Sequence, residues 1–312
     1  MEQENLKHKT KVGLYWSFFN QFANNGLQFV VGIVMARLLS PEDYGITALP
    51  AVFMAVAGTL IDAGFSSALV RKPELTEKDL STSFYYSILV GITCYLAIFI
   101  AAPWIAAFYN IQVLEPLIRV TALTFLWGPL STPQSVILQR RLDFKTPARI
   151  SVITKIVGSI IGITFAYLGY GLWALVIMGV VSSLLGLIQT WLVVRWLPKE
   201  GWSKDSFKYL WNFGNKIIGT YILDKVYENI TPIVIGKYYS PAQLGQYNRA
   251  QGYADLPSKQ VTGMIQGVTF PVLSKLQGDK EKLAEKYRTM IKTLSFVVMP
   301  VMLGLSALAY PV

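Results

Sequence analysis

The sequence of 312 residues contains one cysteine and one histidine. Cys94 has no partner for an internal disulfide, and a single thiol with a single imidazole cannot complete a structural zinc site. His8 lies in a polar N-terminal tail, so a histidine-based catalytic triad cannot be built around it. The run Gly-x-x-x-x-Gly-Lys-Ser/Thr is absent, which excludes a Walker-type nucleotide hydrolase. No catalytic residue, metal or cofactor is therefore expected. Charge is scarce too, at 15% of residues against about 25% in ordinary soluble domains. The start Met1-Glu2-Gln3-Glu4 has no basic n-region and no small-residue cleavage site follows, so the first apolar segment is expected to stay as a helix rather than be removed.

Apolar residues fill the space that charge leaves, at 53% of the chain. Intrinsic disorder requires low hydrophobicity and is excluded. Nine apolar segments run at approximately 13–38, 43–70, 82–107, 113–137, 147–168, 172–195, 208–236, 242–272 and 286–310. Each is long enough to cross a hydrocarbon layer of about 30 Å at about 1.5 Å per residue. Alternating segments of about ten residues, which mark a barrel, are missing. The fold class is all-α, a polytopic membrane protein of about nine transmembrane helices. The tail and every second loop carry nineteen Lys and Arg residues, from Lys7 to Arg288, while the intervening loops hold only Arg37 and Lys237. This asymmetry puts the N-terminus in the cytoplasm and makes the net charge of +10 a topological signal, with no nucleic-acid partner.

Ser40-Pro41-Glu42-Asp43-Tyr44-Gly45 is echoed, 200 residues on, by Ser240-Pro241-Ala242-Gln243-Leu244-Gly245. Each copy closes one helix, offers Ser as an N-cap and Pro at the first helical position, and opens the next. Any helical hairpin can use Ser-Pro, but the offset also matches six spans. The chain then divides into a six-helix lobe at 1–200 and an incomplete second, parallel-repeat lobe at 201–312. Gly158 and Gly162 form a Gly-x-x-x-Gly pair suited to close helix packing.

Polar groups within the spans are the candidate functional residues, since lipid-facing polarity is costly. Asn20, Asn24 and Gln28 share a face of the first span with Ser17 and Gln21. Asp224, Lys225 and Glu228 gather on the seventh, and Asn248, Asp255 and Lys259 fall in one stripe of the eighth. Asn20, Asn24, Gln28, Lys225, Asn248, Asp255 and Lys259 are candidates for a substrate cavity shared by these three helices, with Asp224 and Glu228 as supporting charges. The alternative is internal pairing that only holds the bundle together. Lys155 and Lys292 are expected to snorkel to the cytoplasmic interface, Arg119 to snorkel outward or pair with Glu115, and Asp62 to be paired structurally.

Five segments carry a resemblance: Ala36 to Gly45, Asp62-Ala63-Gly64-Phe65-Ser66-Ser67-Ala68-Leu69-Val70, Leu138-Gln139-Arg140-Arg141-Leu142-Asp143-Phe144-Lys145, Tyr247-Asn248-Arg249-Ala250, and Phe270-Pro271-Val272-Leu273-Ser274-Lys275. In this order they resemble the polysaccharide transporter (oligosaccharide flippase) family of the multidrug/oligosaccharidyl-lipid/polysaccharide exporter superfamily, most closely its colanic-acid-exporter-like branch. The resemblance implies two six-helix lobes around a central cavity, with the helices from the tenth onward lacking here. It also implies movement of a lipid-linked oligosaccharide from the cytoplasmic to the periplasmic leaflet of a bacterial inner membrane. Membrane lipids and polysaccharide-assembly proteins would be partners. A cation-coupled drug antiporter of the same superfamily and a non-transporting scaffold subunit are the competing readings. The first span lacks any carboxylate, which disfavours the antiporter.

Overall fold

The computed structural model describes residues 2–141, 143–252, 254–255 and 280–307. All regular structure among them is helical. The helices are α1 (Glu2–Leu38), α2 (Pro41–Ala48), α3 (Ala51–Asp62), α4 (Phe65–Arg71), α5 (Glu77–Tyr109), α6 (Leu114–Ala122), α7 (Thr124–Trp127), α8 (Thr132–Arg140), α9 (Lys145–Tyr167), α10 (Leu172–Val194), α11 (Lys204–Tyr238), α12 (241–252) and α13 (Lys280–Ala307). Four segments are long and apolar enough to cross a membrane: Pro41–Arg71, Glu77–Tyr109, Lys145–Tyr167 and Leu172–Val194, with mean hydropathies of 1.7 to 2.2. The 37-residue α1 and the 35-residue α11 have the length but carry the polar faces noted above. The protein is an all-α polytopic membrane protein.

The fourth expected span, 113–137, is not one helix. It is α6, α7, a 3₁₀ turn at Gly128–Ser131, and α8. Pro129 and Pro133 supply no N–H to an α-helical ladder, which is why the run breaks at Gly128–Ser131 although its hydropathy does not. The break lets α5 approach closely, and a Cβ added at Gly91 would lie 2.5 Å from the Phe125 carbonyl oxygen. The second span is also segmented. Ala63 and Gly64 have positive φ values of 47° and 69°, and the Asp62 carboxylate accepts from Gly64 N at 3.1 Å and from the Ser66 hydroxyl. Asp62 is thus a structural group at a helix break, as its sequence position suggested.

Chain contacts divide the protein into two compact units, 1–245 and 246–312. In the first, α11 packs on α3, α4 and α5, while α9 packs against both α1 and α10. Gly158 and Gly162 let α9 and α10 approach. A Cβ on Gly158 would collide with the Ser182 hydroxyl, and one on Gly162 would lie 2.8 Å from Met178 Cβ. The second unit contains the rest of α12, and α13.

The two Ser-Pro motifs adopt the same cap. Ser40 N donates to Asp43 Oδ2 at 2.9 Å, while Asp43 N donates to Ser40 Oγ at 3.2 Å. Ser240 N donates to Gln243 Oε1 at 3.1 Å, and Gln243 N donates to Ser240 Oγ at 3.3 Å. Both are capping boxes. The motifs also meet reciprocally: a Cβ on Gly45 would collide with the Pro241 carbonyl, and one on Gly245 with the Pro41 carbonyl. Ser40→Ala and Ser240→Ala should each lower stability by about 1 kcal/mol. Thermal unfolding in detergent checks this, and equal shifts are expected because the caps are equivalent.

Candidate functional site

A cavity of about 900 Å³ opens between α1, α8, α9 and α10, with Tyr44 of α2 at one end. Its walls are mainly apolar, from residues such as Val31, Met35, Leu138, Ile150, Leu175 and Met178. Into this wall α1 places Asn24 and Gln28, α9 places Ser151, Thr154, Lys155 and Ser159, and α10 places Ser182 and Thr190. α9 owes its polar stripe to spacings of three and four residues, which return to the same face.

Asn20, Asn24, Gln28, Ser151 and Lys155 form one connected hydrogen-bonded group. Lys155 Nζ donates to the Asn24 carbonyl at 2.9 Å and to Gln28 Oε1 at 3.2 Å. Ser151 Oγ donates to Asn24 Oδ1 at 3.2 Å, and Asn24 Nδ2 donates to Asn20 O at 2.8 Å and Oδ1 at 2.6 Å. Gln189 Nε2 donates to Thr154 Oγ1 at 3.3 Å. Asp143 also lines the cavity, near the start of α9, where its carboxylate accepts from Thr146 N at 3.0 Å and from Thr146 Oγ1 at 2.6 Å.

Lys155, expected to snorkel, has protein partners across the helix interface. It lies ten residues into the 23-residue α9, about 15 Å along the axis. Its ammonium is engaged by oxygens of α1. Arg119 behaves as one of its expected alternatives, pairing with Glu115 at 2.7 Å and lying over the Phe99 ring at 4.3 Å.

The structure brings together Asn20, Asn24 and Gln28 on α1, with the last two in the cavity wall, but among the described residues none from α11 lines that cavity. On α11, Lys225 pairs with Glu228 at 2.7 Å, both side chains being about half exposed, and Asp224 is exposed. In the second unit, Asn248 has a buried Nδ2 without a hydrogen-bond partner among the described residues, and Asp255 is half-buried. Lys259 lies outside the described residues. The cavity residues that the sequence did not offer as site candidates are Ser151, Thr154, Lys155, Ser159 and Ser182. Their signal was the stripe Ser151, Thr154, Lys155, Gly158, Ser159 and Gly162, whose members were read separately as a packing pair and a snorkelling lysine.

Below the cavity, the Arg140 of the Leu138–Lys145 segment is a structural clamp. Its Nη1 donates to the carbonyls of Leu69 at 3.0 Å, Val70 at 3.2 Å and Lys72 at 2.5 Å, and its Nη2 to that of Pro73 at 3.0 Å. These are the carbonyls at and beyond the end of α4, which a cation suits. Beside it Lys72 pairs at 2.7 Å with the fully buried Asp79.

A profile of the polysaccharide biosynthesis protein family matches residues 34–312. Among curated relatives, the succinoglycan biosynthesis transport protein ExoT of Rhizobium meliloti (strain 1021) is 27% identical over 299 residues, covering 95% of this chain and 60% of that protein. The teichuronic acid biosynthesis protein TuaB of Bacillus subtilis (strain 168) is 24% identical over 302 residues, covering 94% and 61%. The lipopolysaccharide biosynthesis protein WzxC of Escherichia coli (strain K12) is 24% identical over 306 residues, covering 96% and 61%. The chain thus spans about three-fifths of the length of these relatives. No solved structure matches it. With 34–312 inside the family profile and the helical membrane architecture in place, the chain belongs to the polysaccharide biosynthesis protein family.

Proposed function

We propose that the chain takes part in polysaccharide export, as a carrier that moves a lipid-linked oligosaccharide from the cytoplasmic to the periplasmic leaflet of a bacterial inner membrane by alternating access. The observation that carries this reading is the cavity between α1, α9 and α10. At about 900 Å³ it lies in the range of sites for organic ligands and is far too large for one ion. Amides, hydroxyls and one ammonium set in an apolar wall suit sugar hydroxyls presented beside a lipid chain. Relatives named for succinoglycan, teichuronic acid and lipopolysaccharide biosynthesis support the same substrate class.

The test is translocation of a fluorescent polyprenyl-diphosphate-linked oligosaccharide by the full chain in vesicles. Asn24→Leu with Gln28→Leu should slow it about tenfold, the equivalent of about 1.4 kcal/mol in lost binding. Vesicles that instead expel an organic cation down an ion gradient, without moving the glycan lipid, would overturn the reading in favour of the antiporter. The orientation is testable separately. A cysteine at position 75 in a Cys94→Ala background should resist an impermeant thiol reagent applied from outside, and one at position 239 should react. Labelling in the reverse pattern would invert the topology.

A further inference from the structure

We infer that the Lys155 ammonium is the binding group for an oxyanion carried by the transported molecule, held in the cavity of α1, α9 and α10. This rests on the proposed transport function and adds the charge of the substrate to it. The starting point is an unbalanced charge. Lys155 stands at the middle of α9, and α9 and α10 contain no Asp or Glu, nor does α1 after Glu4. Its two hydrogen-bond acceptors, the Asn24 carbonyl and Gln28 Oε1, are neutral. No carboxylate among the described residues lies within ion-pair distance of it, and an ammonium has three donors, of which these acceptors engage two. Asp143, the acid in the cavity wall, is twelve residues back at the start of α9 and is occupied by Thr146.

Neutral oxygens orient an ammonium but do not cancel its charge, and a charge without a counter-ion at membrane depth is expensive. If Lys155 served only to tie α9 to α1, a neutral donor would make the same two hydrogen bonds without that cost. A cation retained there calls for an anion. Thr154 and Ser159 line the cavity beside it within about one turn of α9 and can donate hydroxyl hydrogens to the remaining oxygens of a phosphate or carboxylate, while the Ser151 hydroxyl is engaged by Asn24. The chemistry is that of an oxyanion with hydroxyls around it, and two parts of a lipid-linked glycan supply it: the diphosphate linker and an acidic sugar.

Equilibrium binding of inorganic diphosphate and of glucuronate to the purified full chain in detergent tests the inference, with each probe measured against wild type, Lys155→Gln and Lys155→Arg. Lys155→Gln keeps a hydrogen-bond donor and loses the charge. It should weaken binding at least tenfold while leaving the unfolding midpoint near wild type, and Lys155→Arg should stay within about threefold. Charge-dependent binding of diphosphate assigns the linker, and of glucuronate the acidic sugar. Neither probe binding to wild type, or equal binding to Lys155→Gln, overturns the inference. If Lys155→Gln does not fold, wild type decides. Diphosphate or glucuronate should slow acylation of Lys155 by an amine-reactive reagent, and unchanged acylation with both overturns it. Charge-dependent binding together with absent glycan-lipid translocation would leave this site standing and remove the transport reading.

Discussion

An Arg140→Ala protein is expected to fail to accumulate as a folded, monodisperse species in detergent, the largest stability effect of any single substitution outside the cavity. The guanidinium holds four carbonyl oxygens from Leu69 to Pro73, three of them through Nη1. Hydrogen bonds to a charged group contribute about 1.5–3 kcal/mol each, though not additively. Losing the set strands the last carbonyls of α4 and frees the turn that places Lys72 against the buried Asp79. Arg140→Lys is expected to recover little, because one ammonium cannot copy the two-nitrogen fork. Size-exclusion profiles and unfolding midpoints check both variants. A well-folded Arg140→Ala protein would show that the α4 terminus is held by the helix packing alone.

The second large effect is expected at Gly158. A branched side chain there, as in Gly158→Val, must displace α10, because even a Cβ meets the Ser182 hydroxyl and would sit 3.4 Å from the Met178 carbonyl oxygen. Overpacking of this sort costs about 1–3 kcal/mol. Both helices also wall the cavity, so the displacement should reduce the proposed transport as well as stability. Gly158→Ala combined with Ser182→Gly is expected to regain most of what Gly158→Ala alone loses. A double-mutant cycle of unfolding midpoints measures the coupling, and strict additivity would mean that the two residues do not share the contact.

Different parts of this protein were legible in the sequence to different degrees, for identifiable reasons. Spans that became α5, α9 and α10 were readable because length and apolarity alone determine a lipid-crossing helix. The breaks at Gly128-Pro129 and Ala63-Gly64 escaped a reading that averages hydropathy along the chain, although the prolines were visible. Local pairs such as Arg119 with Glu115 and Lys225 with Glu228 followed from helical spacing. Asn24 and Gln28 stood out as amides in an apolar run. Their partner Lys155 is more than 120 positions away, and periodicity tells which face of a helix is polar without telling which other helix it meets.

The reciprocal meeting of Gly45 and Gly245 is made by main-chain atoms, with each glycine against the carbonyl of the other motif's proline. At the glycines the turns touch main chain to main chain, while beside them Leu244 is fully buried in the apolar cluster that also holds Ile46 and Leu49, so the seam is locked by side chains on its inner flank. It is also its own complement. Two turns with the same Ser-Pro cap meet through the same atoms, and anything larger than hydrogen on either glycine wedges both hairpins at once.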